Sequence, residues 1–167
     1  MADLLHLPTH KVADVVVVGA GLCGLALTRS LVARGLSVTL LEARDRIGGR
    51  VLTRTDAQAG QVLDLGATWT WPETEPRISA LLSELGLATL AQHDPGDALW
   101  RTDPNLQAER RQDAAGVHAG ARRIQGGAAR LVDALAADLP AGCLQLGKPV
   151  RVLRDRGSYI ELMLEAG

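Results

Sequence analysis

The stretch Gly19-Ala20-Gly21-Leu22-Cys23-Gly24 constrains this chain more than any other. It fits G-x-G-x-x-G, a pattern that gains specificity only between a buried strand and a helix. Both neighbours are expected here. The run Val12–Val18, rich in β-branched residues, reads as a strand buried on both faces of a parallel sheet. Leu22–Arg34 reads as a helix with Leu25, Leu27, Leu31 and Val32 as packing positions, stopped by Gly35. Ser37–Leu41 is a second strand, so the segment predicts a right-handed βαβ unit.

Each glycine has a separate physical task. Gly19 permits the tight turn, Gly21 lets the backbone approach a pyrophosphate, and Gly24 lets helix and strand pack closely. The helix N-terminus then offers N–H groups and partial positive charge to phosphates. Glu42 ends the second strand, near where an acid meets the ribose of an adenosine half. Its carboxylate suits ribose hydroxyls and repels a 2′-phosphate. Arg44-Asp45-Arg46-Ile47-Gly48-Gly49-Arg50-Val51 follows. A glycine doublet with an arginine can bring N–H groups and a guanidinium to a second face of a pyrophosphate. A plain NAD domain does not need this.

Residues 1–11 read as a flexible lead-in, and residues 51–60 as a connection rather than a core element. Val62–Leu65 reads as a short strand running into Gly66, and Pro76 opens a helix through about Leu85, closed by Gly86. Residues 92–121, with HDPGD, TDPN and a charged alanine-rich run, show no clear regular structure. After Gly126-Gly127, Leu131, Leu135 and Leu139 stand at helical spacing before Pro140. Val150–Leu153 and Tyr159–Glu165 predict a hairpin around Arg156-Gly157-Ser158, with Ile160, Leu162 and Leu164 on one face.

Composition excludes several classes. With 47% hydrophobic and 22% charged residues over 167 positions, the chain can bury a core. A net charge of −1 gives no reason to expect nucleic acid or an anionic membrane as partner. Cys23 and Cys143 are far apart, and His6, His10, His93 and His118 show no ligand spacing, so neither a disulfide framework nor a metal site is expected. The default compartment is the cytoplasm. Cys23 reads as a small packing residue in the turn. The arginines 110, 111, 122 and 123 read as a solvated or partner-contacting face. Phe is absent, so Trp69 and Trp71 either shape a substrate cavity or fill the core.

The glycine turn, the strand-end Glu42 and Arg46-Ile47-Gly48-Gly49-Arg50 together resemble the N-terminal FAD-binding region of the flavin-containing amine oxidases. Asp64-Leu65-Gly66-Ala67-Thr68-Trp69 is similar to that family's D-x-G-[GA] segment, whose backbone runs beside the flavin rings; Ala67 stands where a second glycine is frequent. Arg123-Ile124-Gln125-Gly126-Gly127 resembles the helix start that leads back into the FAD domain. Lys148-Pro149-Val150 is similar to the strand where a valine backbone meets the adenine.

The resemblance implies FAD as cofactor and an α/β, Rossmann-like FAD-binding domain with an added β-hairpin, incomplete relative to the family. The implied cofactor-binding residues are Gly19, Gly21, Leu22, Cys23, Gly24, Glu42, Ala43, Arg44, Gly49, Arg50, Gly66, Ala67, Thr68, Trp69 and Val150. The expected organisation is a lead (1–11), an FAD-binding βαβ with the flavin-facing segment (12–86), a shortened substrate-domain-like or irregular connection (87–121), and a return to the FAD-binding domain (122–167).

The implied reaction is oxidation of an amine C–N bond by hydride transfer to the flavin, with a small-molecule amine as substrate. No residue qualifies as a catalytic acid, base or nucleophile. The family's long helical insertion is reduced here to about residues 87–121, and the segments that complete its flavin pocket are not found before Gly167, directly after a strand. A non-catalytic FAD-binding subunit or fragment that needs a complementary chain, or self-association, is therefore an alternative. An NAD-dependent dehydrogenase or nucleotide-sensing module is a further one.

Overall fold

The computed structural model describes residues 12–93, 96–112 and 118–165. The expected lead-in at 1–11, positions 94–95 of the HDPGD run, positions 113–117 of the charged alanine-rich run and the last two positions lie outside them. The elements run β1 (Val15–Val18), α1 (Leu22–Ala33), β2 (Val38–Leu41), β3 (Leu52–Thr55), β4 (Val62–Gly66), α2 (Pro76–Glu84), β5 (Thr89–Ala91), β6 (Asp97–Trp100), β7 (Glu109–Gln112), β8 (Arg122–Ile124), α3 (Ala129–Ala137), β9 (Leu144–Gln145), β10 (Val150–Asp155) and β11 (Ile160–Leu164). They form two compact units: one is residues up to Gly49 together with Leu135 onward, the other Arg50–Ala134. The division falls inside α3.

The first unit contains the predicted βαβ. β1 and β2 pair in parallel, Val15 opposite Val38 through Val18 opposite Leu41. β2 is the central strand of three, in the order β1-β2-β9, and all four of its residues are buried. β9 pairs in parallel with β2 through Leu40–Leu144 and Leu41–Gln145. A two-residue strand shows no period, which is why the sequence reading missed it.

Two expectations about β1 and α1 are corrected. The strand begins at Val15, not Val12, and it is not buried on both faces: Val18 is 58% exposed. Among the described residues β1 lies at the sheet edge, so its β-branched run marks strand propensity rather than double-sided burial. Asp14 instead clasps the start of β2. Its carboxylate accepts hydrogen bonds from the Ser37 hydroxyl (2.7 Å) and N–H (2.8 Å), which hold its pKa below the usual carboxylate value. On α1, Leu25 and Thr28 are the buried residues, whereas Leu27 is half exposed. Leu31 and Val32 are half-buried.

The second unit holds three antiparallel pairs: β3–β4, β5–β8 and β6–β7. Residues 51–60, expected to be a connection, supply β3. Thr53 faces Asp64 across that ladder. The turn is set by Asp56, whose carboxylate accepts the Gln58 and Ala59 N–H groups. In the stretch expected to lack regular structure, β6 and β7 form a hairpin held by an Asp97–Arg110 ion pair and by Arg111 stacked 5.3 Å from the Trp100 ring. The expected arginine face is thereby divided. Arg110 and Arg111 belong to β7, whereas Arg122 on β8 grips the Thr89 hydroxyl at 2.7 Å and carbonyl at 3.0 Å. α2 begins at Pro76 as predicted.

α3 matches the predicted helix, with Leu131, Val132 and Leu135 buried; Leu139 lies beyond its end. The predicted hairpin is β10–β11, Leu153 opposite Leu162. Its Leu153, Tyr159 and Ile160 remain largely exposed. No described helix is long and apolar enough to cross a membrane.

Candidate functional site

In the first unit the candidate residues converge on the N-terminus of α1. Gly21 is its N-cap residue, in an extended conformation, and brings no side-chain hydrogen bond to the first turn. The N–H groups there have no intrahelical partner and are available to an anion. Gly24 sits so close to the turn that follows β1 that a Cβ would lie 1.9 Å from the Gly19 carbonyl oxygen. Gly21 is different: a Cβ there would meet only the Gly48 carbonyl oxygen, at 3.9 Å. Nothing in the packing of this unit demands a glycine at 21. The space before it is a cradle that a side chain would fill, and this fits a pyrophosphate against the backbone.

The glycine doublet closes onto the same turn. The Gly48 N–H donates to the Ala20 carbonyl at 2.8 Å, and Gly48 bridges to Gly21 in parallel fashion. Arg46 donates through its guanidinium to the Ile47 and Gly49 carbonyls. It therefore shapes the doublet, a role the sequence reading did not assign.

Glu42 is 8% exposed. Its Oε2 accepts the Ala20 N–H at 2.8 Å and its Oε1 accepts the Arg44 N–H at 2.9 Å. Its backbone is equally fixed, donating to Gln145 O and accepting from the Lys148 N–H. The carboxylate thus ties the glycine turn to the end of β2, with lone pairs remaining on both oxygens. Leu22 is half-buried and Cys23 exposed in the first turn, while Ala43 and Arg44 are exposed beside Glu42. Val150 opens β10, half-buried.

In the second unit, Arg50 is exposed and Gly66 ends β4. A Cβ on Gly66 would approach the Arg50 carbonyl oxygen to 2.3 Å. Ala67 is the one non-glycine among the described residues with positive φ, 49°. Thr68 is exposed. The Trp69 ring stacks on His118 at 4.1 Å and lies 6.5 Å from Trp71, and its indole N–H donates to Gln92. Trp69 and Trp71 therefore belong to a local aromatic cluster. A cleft of about 650 Å3 lined by Thr70, Ser79, Leu82, Thr89 and Arg122, among others, includes no candidate cofactor residue and carries no part of the functional reading.

The left-handed Ala67 is strained relative to glycine by about 1–2 kcal/mol, offset in part by the greater backbone freedom a glycine loses on folding. Ala67→Gly is expected to stabilise the chain by about 0.5 kcal/mol, read as a higher urea midpoint at unchanged m-value. A lower midpoint would show that the Ala67 methyl packs better than its backbone is strained.

A parallel βαβ whose glycine turn opens an uncapped helix and is braced by a strand-end glutamate defines a class, the Rossmann-like α/β fold of dinucleotide type. Comparison with known proteins narrows it. Residues 22–116 match the family described as flavin containing amine oxidoreductase, and the chain belongs to that family. It is 45% identical over 87 residues to the putrescine oxidase of Kocuria rosea, covering 52% of this chain and 18% of that protein. It is 49% identical over 76 residues to the amine oxidase (flavin-containing) B of Homo sapiens, covering 46% of this chain and 14% of that protein.

Solved structures share the fold. A putrescine oxidase bound to putrescine matches at TM-score 0.75 and 20% identity, over 92% of this chain and 55% of that one. Cyclohexylamine oxidase from Brevibacterium oxydans IH-35A matches at TM-score 0.78 and 19% identity, again over 92% and 55%. The chain thus spans less than a fifth of these curated relatives and about half of the solved structures. The family match begins at Leu22, after Gly19 and Gly21.

Proposed function

We propose that this chain is the FAD-binding portion of a flavin-dependent amine oxidase. The open cradle before Gly21, in a chain of the flavin-containing amine oxidoreductase family, supports this reading most directly. The first-turn N–H groups of Leu22, Cys23 and Gly24 receive the pyrophosphate. Glu42, already oriented by Ala20 and Arg44, accepts from the ribose hydroxyls on its remaining lone pairs. Ala43, Arg44 and the Val150 backbone flank the adenosine half, and Gly49 borders the phosphates. In the second unit, Arg50 supplies a cation for the cofactor, and Gly66, Ala67, Thr68 and Trp69 present backbone to its ring system. Bound FAD supplies the hydride acceptor for an amine such as the putrescine that the related oxidase binds. This chain's residues bind, orient and shield that cofactor; none of them is assigned a proton-transfer step.

Catalysis by a complementary polypeptide joined to this one is the second reading. The exposed apolar residues of the β10–β11 hairpin and the edge of β1, unpaired among the described residues, favour it. Titration of the purified chain with FAD is expected to give protein-bound flavin absorption, with no binding of NADH. A colourless chain that takes up NADH would overturn the cofactor assignment. Full amine turnover by the purified chain alone would sink the second reading.

A further inference from the structure

Asp64 has no role yet beyond its place in the D-x-G segment, but its surroundings are unusual. Its side chain is 3% exposed. A carboxylate so buried must be held by donors. Oδ1 accepts from the Thr53 hydroxyl at 2.6 Å and from the Ala128 N–H at 2.8 Å. Thr53 Oγ1 in turn accepts the Ala129 N–H at 2.9 Å. Arg123 Nη2 lies 3.6 Å from Oδ2 and balances the charge.

Ala128 and Ala129 lead into α3. Helix-entry N–H groups are normally satisfied by a side chain at the helix's own N-cap. Here the acceptors lie 64 and 76 residues upstream, on two strands that face each other at Thr53 and Asp64. The contact is tight. A Cβ on Gly127, whose φ is +99°, would come within 2.5 Å of Thr53 Cγ2. The carboxylate also sits where a helix dipole favours negative charge.

Two residues beyond Asp64, β4 ends at Gly66, which is pressed against the Arg50 carbonyl, and the chain turns left-handed at Ala67. The segment Gly66–Trp69 therefore leaves a strand anchored by Asp64. We propose that Asp64 is a positioning residue: with Thr53 it locks β3–β4 onto the start of α3 and so fixes the course of Gly66–Trp69 beside the flavin. This rests on the reading that Gly66–Trp69 flanks the cofactor. Asp64 itself touches no cofactor and acts through the backbone it holds.

The test uses the full chain and the variants Asp64→Ala, Asp64→Asn and Thr53→Val. Two readouts are needed: amide hydrogen exchange at Ala128 and Ala129, and the affinity and vibronic fine structure of bound FAD. Asp64→Ala and Thr53→Val should speed exchange at those amides and weaken FAD binding by roughly 10-fold, the size of one lost hydrogen bond to a charged group. Asp64→Asn keeps the Oδ1 acceptor and should restore both. Faster exchange with unchanged FAD affinity and spectrum in every variant overturns the positioning role alone. Failure of Asp64→Asn to rescue either readout also overturns it. A wild-type chain that takes up no FAD sinks the cofactor reading, and the positioning role with it.

Discussion

Gly24→Ala should unfold the chain at a temperature roughly 6–12 °C below the parent and abolish FAD binding, while Gly21→Ala should abolish binding and leave stability unchanged. The two glycines share one turn and differ in what confronts an added methyl. At Gly24 it would lie 1.9 Å from the Gly19 carbonyl oxygen, so α1 must move away from β1. Overpacking against backbone of this kind costs about 3 kcal/mol. At Gly21 the nearest atom is 3.9 Å away, and φ −76°, ψ 179° is open to any residue. The methyl would occupy only the space kept for the pyrophosphate. Thermal unfolding by circular dichroism and flavin titration together read both effects. Equal stability losses in the two variants would show that Gly21 is structural too. Undiminished FAD affinity in Gly21→Ala would remove the pyrophosphate from that cradle.

Glu42→Ala is expected to destabilise the cofactor-free chain by about 3 kcal/mol, because two N–H groups lose a charged acceptor. The groups are those of Ala20 and Arg44, bonded to Oε2 and Oε1. Loss of FAD in this variant would therefore not by itself demonstrate a ribose contact. Glu42→Gln separates the roles: it keeps an acceptor for one N–H, should recover part of the stability, and still lacks the full carboxylate offered to the ribose. Urea unfolding without cofactor, followed by FAD titration of both variants, gives the comparison. A Glu42→Ala chain with the parent's urea midpoint would contradict the bracing role.

The span from β1 to Glu42 was readable because local signals agreed. A β-branched run, three glycines at fixed spacing, a leucine-rich helix and a terminal acid all specify one unit. What the sequence did not disclose depends on distant partners. Glu42 reads as a ribose ligand by position, yet its first structural act is to hold Ala20 and Arg44. Arg46 reads as part of a phosphate motif and instead bonds the carbonyls of its own loop. Thr53 lay in a stretch read as mere connection, and its value to α3 is visible only once residues 53, 64 and 129 meet. β9 is two residues long and gains its meaning solely from β2. Ala67 stands where a glycine is frequent, and its positive φ gives that departure a backbone cost.

The pairing of β2 with β9 also sets a schedule for synthesis. β1, α1 and β2 can assemble as soon as Leu41 leaves the ribosome, since their contacts are local. The second edge of β2 is covered only when Leu144 and Gln145 arrive. At about 5–20 residues per second, the roughly one hundred intervening residues take on the order of 5–20 s to make. For that interval the nascent chain carries Val38-Thr39-Leu40-Leu41 with an open edge, a surface suited to capture by a chaperone or by another nascent copy.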